Sequence, residues 1–302
     1  MLKATHNLLV PNWKEDVVYL VIFPRTHSIP SSSPSSLKLE TWLRMNNIKY
    51  QANKFNFFNK LLILSTFFIG FLFLRINYNY FQNVSNQFKH ASVKGQVPFI
   101  ELNGRQHADS NFIIEHLRSH FKLPIDGNLN SSERANLRAF SLLIEESFFR
   151  CLQYDFSINA SWIGTDSGYL PYFTGAKKFI AKNLIPKKFQ YTTKKTLNAQ
   201  GYGRHSVNEI EDIAKKDLMA LSTFLGEKPY FFGNQPSTLD AIAFGFLAVS
   251  IYVPRNLKEI NQFIEKSTPN LMEFVKRMKE QFWPDWSEIC EQLALNTEDI
   301  KK

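Results

Sequence analysis

His116 and His120 stand four apart in EHLRSH, so on a helix both imidazoles would share a face, with His107 nearby in the sequence. Such a set could begin a zinc site, but tetrahedral ligation needs a further converging donor and no Cys lies close. The order is also not H-E-x-x-H, which would set a general base beside the metal. No metal is therefore expected. Cys151 and Cys290 are the only cysteines, too few for a disulfide framework or a cysteine-rich zinc site, and they fit a reducing compartment. Gly201-Tyr202-Gly203 has no strand before it and reads as a turn rather than a dinucleotide loop. No local carboxylate pair or Ser, His and Asp set stands out.

Pro98 is the more informative residue. It interrupts the apolar run of GQVPFIEL, where a missing backbone donor is disfavoured. A cis Val97–Pro98 bond would turn the chain there and leave the Val97 N–H and C=O available to a ligand. Downstream, Asp109 or Ser110 can cap an amphipathic helix beginning near Asn111. The elements that must position these groups follow from composition. VVYLVIF (17–23) suits a buried strand, and PRTHSIPSSSPSS (24–36) reads as a loop. LKLETWLRMNNI (37–48) carries a helical pattern with Ser35 or Ser36 as its expected N-cap. Val97–Leu102 is a strand signal, and Asn103-Gly104 a hairpin turn. This order predicts a small α/β domain with a mixed sheet.

The stretches FPRTHSIPSSSPSSLKLETWLRMNNIKY and VKGQVPFIELNGRQHADSNFIIEHL resemble the failed axon connections family, which is glutathione S-transferase-like and similar to the metaxins and to nematode cadmium-responsive proteins. The resemblance implies a thioredoxin-like N-terminal domain with a cis proline at Pro98, followed by a transferase-like helical C-terminal domain. It implies glutathione as ligand or substrate, its γ-glutamyl end held by Asp109 and Ser110 and its backbone by Val97. Thiolate chemistry would fall to the first helix, where Ser33 is the candidate catalytic residue. Relatives commonly show Ser-Pro-Phe-Cys there, whereas this chain has Ser33-Pro34-Ser35-Ser36. The missing Cys argues against redox exchange.

The expected organisation is a thioredoxin-like domain at 17–122, a linker at 123–135 rich in Asn with Pro and Gly, and a helical domain at 136–302. Ser132 is read as the N-cap of the first helix beyond the linker. In the helical domain Gly226 should end a helix. Ser237-Thr238-Leu239-Asp240 should open another as a capping box. AIAFGFLAVSIY, apolar nearly all round, then reads as a central packed helix. Tyr154, Phe156, Trp162, Tyr169 and Tyr172 could line a substrate wall or fill a core.

Two segments bear on location. Lys177–Arg204 is basic and interleaved with Phe179, Ile180, Leu184 and Phe189, which suits an anionic membrane surface. No nucleic-acid-binding signature accompanies it. The second segment, KLLILSTFFIGFLFLR, holds 14 uncharged residues at 61–74, short of the roughly 20 that cross a bilayer as a helix. Joining KYQ (49–51) to NVSNQF (83–88) restores the family pattern, so 52–82 reads as an apolar insert, from a retained intron or a membrane segment. The first 22 residues lack the apolar core and cleavage site of a secretory signal. A cytoplasmic protein is expected, membrane-associated if 52–82 is present in the mature chain. The resemblance further implies a homodimer and a role in axonal development or organelle contacts. Glutathione transfer and metaxin-like mitochondrial import or tethering are the alternatives.

Overall fold

The computed structural model describes residues 8–54, 92 and 94–300. The β-branched run forms β1 (Val18–Ile22), buried at all five positions. A loop leads to α1 (Pro34–Met45), whose N-cap is Ser33 rather than Ser35 or Ser36. Proline lacks an N–H and tolerates the first helical position, which moves the cap back to the residue before Pro34. β2 (Tyr50–Lys54) then pairs parallel to β1. The expected insert boundary at Ala52 therefore falls inside a strand. Residues 55–82, with the apolar run, lie outside the described residues, as does Asn83.

β3 (Phe99–Leu102) and β4 (Arg105–Ala108) form the expected hairpin. Asn103 (φ 48°) and Gly104 (φ 73°) both take the left-handed conformation that a tight hairpin turn demands. The sheet order is β2-β1-β3-β4, with β1 antiparallel to β3. α2 (Ser110–His120) follows directly, its N-cap Asp109.

The helical part opens inside the expected linker, with α3 (Ser131–Leu142). Its N-cap is Asn130, not Ser132. The Asn130 side chain accepts from the Glu133 N–H and the Glu133 carboxylate from the Asn130 N–H, a reciprocal pair that Ser132 could form only with a Glu at Ala135. A π-helical turn (Leu143–Phe148) joins α3 to α4 (Phe149–Ile158). α5 (Gly175–Asn183), α6 (Ile185–Ala199) and α7 (Val207–Leu225) follow, and Gly226 ends α7 at φ 57° as expected. α8 (Thr238–Tyr252), buried from Thr238 to Ser250, is the central helix. α9 (Lys258–Ser267), α10 (Pro269–Phe282) and α11 (Trp286–Gln292) complete the fold.

The two halves share a core. Ile29 and Leu37 join the helical cluster, while Ala241 of α8 joins the cluster under the sheet. Gly245 permits this contact, because a Cβ there would lie 2.7 Å from both the Lys38 N and the Pro34 O of α1. The linker is also tied in, since the Asp126 carboxylate accepts from the Thr238 N–H at 2.9 Å and its hydroxyl at 2.6 Å.

Candidate functional site

Strand register gathers the predicted ligand groups. Phe99 pairs with Val21 on one side and Ala108 on the other. Pro98, Asp109 and the end of β1 therefore lie at one end of the sheet. The Val97–Pro98 bond is cis. Val97 stands beyond the last β1–β3 pair and packs on Val21, Phe99 and Ala108.

Asp109 holds φ 78°, ψ 117°, a backbone region that costs a non-glycine residue on the order of 1–3 kcal/mol and is retained where its surroundings impose it. Its Oδ1 accepts from the Asn111 N–H at 3.1 Å, and the Lys94 ammonium lies 3.7 Å from Oδ2. Ser110 is buried in the first turn of α2.

At the start of α1, the Ser33 hydroxyl accepts from the Ser36 N–H at 3.4 Å, a long capping bond. The buried Ser36 hydroxyl has no hydrogen-bond partner among the described residues. Ser32 and the Tyr169 hydroxyl lie 2.6 Å apart, and burial pushes the Tyr169 phenol up to about 12. The Tyr172 hydroxyl donates to the Arg25 carbonyl, bracing the same loop. Tyr154 instead donates to the His205 carbonyl, and Phe156 meets Phe189 edge to face. Trp162 packs on Tyr169. The aromatic set is thus divided between loop support and helix packing.

Two buried ions escaped sequence reasoning. Lys38 donates to Asn111 Oδ1 at 2.9 Å and Glu145 Oε1 at 2.6 Å, while the Asn111 amide donates to Glu145 Oε2 at 2.8 Å. This links α1, the residue after Ser110, and the π turn. Burial lowers the Lys38 pKa, with Glu145 and Asp109 opposing. The only signal was that Lys38 stands at helical spacing from Trp42 on a packed helix. Arg25, also fully buried, pairs with Glu40 through both terminal nitrogens at 2.7 Å. It donates as well to the carbonyls of Pro30, Ala294 and Leu295, so the loop into α1 is fastened to the chain after α11.

The histidines do share a face, but as stacked rings. His107 and His116 have centroids 3.9 Å apart, and His120 pairs with Asp16 at 2.8 Å. Burial, then His116 and Arg105, brings His107 down to about 4. Among the described residues no group of three or more His, Cys, Asp or Glu is arranged to hold a metal. Burial pushes both Cys151 and Cys290 up to about 12, leaving neither a ready thiolate. A surface groove of about 560 Å³ lies elsewhere, against Phe140, Met219 and Phe224.

Models of the glutathione S-transferase N-terminal and C-terminal domains match residues 71–162 and 214–278. Failed axon connections of Drosophila melanogaster is 33% identical over 300 residues, covering 96% of this chain and 64% of that protein. The chain thus spans less than two thirds of that relative's length. Metaxin-2 of Mus musculus is 23% identical over 198 residues, covering 66% of this chain and 74% of that one. The crystal structure of a β-etherase from Sphingobium sp. strain SYK-6 matches with a TM-score of 0.53 at 17% identity, covering 92% of this chain and 99% of that one. The expected resemblance and the thioredoxin-like plus helical architecture are both borne out. No helix among the described residues is long and apolar enough to cross a membrane.

Proposed function

Since this chain belongs to the glutathione S-transferase-like family of failed axon connections, to which the metaxins are related, we propose that it is a glutathione-recognising interaction protein of the cytoplasm. Its setting would be axonal development or contacts with organelles. The observation that supports recognition best is Asp109, held at φ 78° at the start of α2 beside the Val97–Pro98 turn. In this reading the Asp109 carboxylate leaves Lys94 for the peptide's ammonium. Ser110 and the first N–H groups of α2 hold its carboxylate, and the Val97 main chain meets its backbone. The unpartnered Ser36 hydroxyl fits the same account, because a buried polar group without a partner accommodates a ligand at low cost.

Interaction is favoured over catalysis because α1 offers no Cys, and the Ser33 hydroxyl already serves as a helix cap. The nearby Tyr169 phenol is engaged with Ser32 and held neutral by burial. A conjugating transferase is the second reading. It rests on Ser33 and Ser36 at a helix N-terminus, where hydroxyls and N–H groups can stabilise a thiolate for attack on an electrophile. Metaxin-like import or tethering rests on the metaxin similarity alone, and a homodimer on the family relationship. The two buried free thiols fit a reducing cytoplasm.

Calorimetric titration with glutathione, paired with conjugation to a chloronitrobenzene, separates these readings. Binding that is lost in the combined Asp109→Asn and Ser110→Ala variant, without turnover, supports the interaction protein. Turnover abolished by Ser33→Ala would support the transferase, and absence of any binding would sink both.

A further inference from the structure

Basic charge in this protein is concentrated in one stretch. Eight Lys and Arg lie between Ser167 and Asn208 with no acid among them. Taking these eight from 36 leaves 28 against 27 acidic residues, so the stretch supplies nearly all of the formal charge of +9. Its lysines fall on α5 and α6, which bury only Ala181 of α5 and Ile185, Pro186 and Leu197 of α6.

Leu184, Lys187, Lys188, Tyr191, Lys194 and Lys195 follow at spacings of three and four, and so share one face. Leu184 and Tyr191 on that face are 53% and 69% exposed, and Phe179 on α5 is 70% exposed. A face needed only for solubility would carry polar residues at these positions. Asp166 lies 3.8 Å from Lys178, with both side chains largely in solvent.

We infer that the α5–α6 face docks on an anionic phospholipid bilayer. The ammonium groups meet lipid phosphates, while Phe179, Leu184 and Tyr191 enter the boundary between headgroups and acyl chains. Lying flat, the 15 residues of α6 present about 22 Å of such surface. Nucleic acid would satisfy the lysines but has no apolar layer to receive Phe179 and Leu184.

The test is flotation of the full chain with vesicles of phosphatidylcholine alone and of phosphatidylcholine mixed equally with phosphatidylserine. Residues 61–74 are themselves apolar, so the readout is the gain caused by phosphatidylserine, which an uncharged run does not provide. Binding should increase with phosphatidylserine and weaken in high salt. Each lysine removed should lower partitioning roughly five-fold. The triple variant Lys187→Gln, Lys194→Gln and Lys195→Gln should therefore lose roughly 100-fold, whereas Lys187→Arg should bind as the unaltered protein does. Phe179→Ser with Tyr191→Ser should weaken binding while leaving its salt dependence intact. Equal binding to both vesicles, undiminished binding by the triple variant, or retention on mixed-sequence RNA without vesicle binding would overturn the inference. All of these side chains are exposed, so circular dichroism melts should match across the variants.

Discussion

Lys38 Nζ lies 2.6 Å from Glu145 Oε1, a buried ion pair joining the first helix of the α/β part to the π turn of the helical part. Such a pair gains little over an apolar contact, yet losing one partner strands a charge, at about 3–5 kcal/mol. Lys38→Met should lower stability by that order in urea unfolding. Adding Glu145→Leu should restore part of the loss, since the second change removes the stranded carboxylate. A Lys38→Met protein as stable as the parent would mean that the pair does not hold the halves together.

Gly245 is the complementary case, where space rather than charge sets the joint. A Cβ at this position meets backbone atoms of α1 at 2.7 Å, and backbone cannot rotate aside as a side chain can. Gly245→Ala should therefore destabilise by about 1–3 kcal/mol despite alanine's better helix propensity. Thermal unfolding decides this, and a raised melting temperature would show that α1 and α8 can separate without cost.

What was legible in the sequence was local. Asn103-Gly104 and a cap at Asp109 or Ser110 are written in adjacent residues, and so is the apolar α8, whereas the cis Val97–Pro98 turn is expected only from the family resemblance. Ser33 was missed as a cap because Pro34 sets the helix start, and Asn130 because Ser132 offered a plausible hydroxyl two residues later. The Arg25–Glu40 and Lys38–Glu145 pairs were not legible, since a charged residue in a single sequence reads as surface until its partner's position is known. Asn296, whose side chain accepts from the Ala52 N–H at 2.6 Å, shows the same limit. Nothing local to NTED announces that it meets the edge strand of the sheet.

Asp240 ties the start of α8 to the loop before it. Its carboxylate accepts from the Phe231 N–H at 2.9 Å, the Ser237 N–H at 2.7 Å and the Ser237 hydroxyl at 2.6 Å. Asp240→Ala removes both acceptor oxygens, and with them all three hydrogen bonds, in a fully buried place, so a loss near the upper end of the capping range, about 2 kcal/mol, is expected. Asp240→Asn should lose less, because its carbonyl still accepts. Equal melting of Asp240→Ala and the parent would remove this carboxylate from the account of α8.

Asp285 makes acid stability testable at a single residue. Burial alone would raise its pKa, but donation from both terminal nitrogens of Arg44, at 2.6 and 3.1 Å, and from Thr297 at 2.6 Å outweighs it. The carboxyl is held below its ordinary 3.8. An acid whose folded pKa is depressed stabilises the fold fully above its unfolded value, and that contribution fades as the pH falls through the folded one. The melting gap between the parent and Asp285→Asn should thus be widest near neutrality and shrink below about pH 4. His107, brought down to about 4 by burial and then its neighbours, also costs stability on acidification. It does so in both proteins, so the comparison cancels it. A gap that stays constant from neutral pH down to about pH 2 would show that Asp285 is not ionised against Arg44, and would remove this pair as the link between the start of α11 and the first helix.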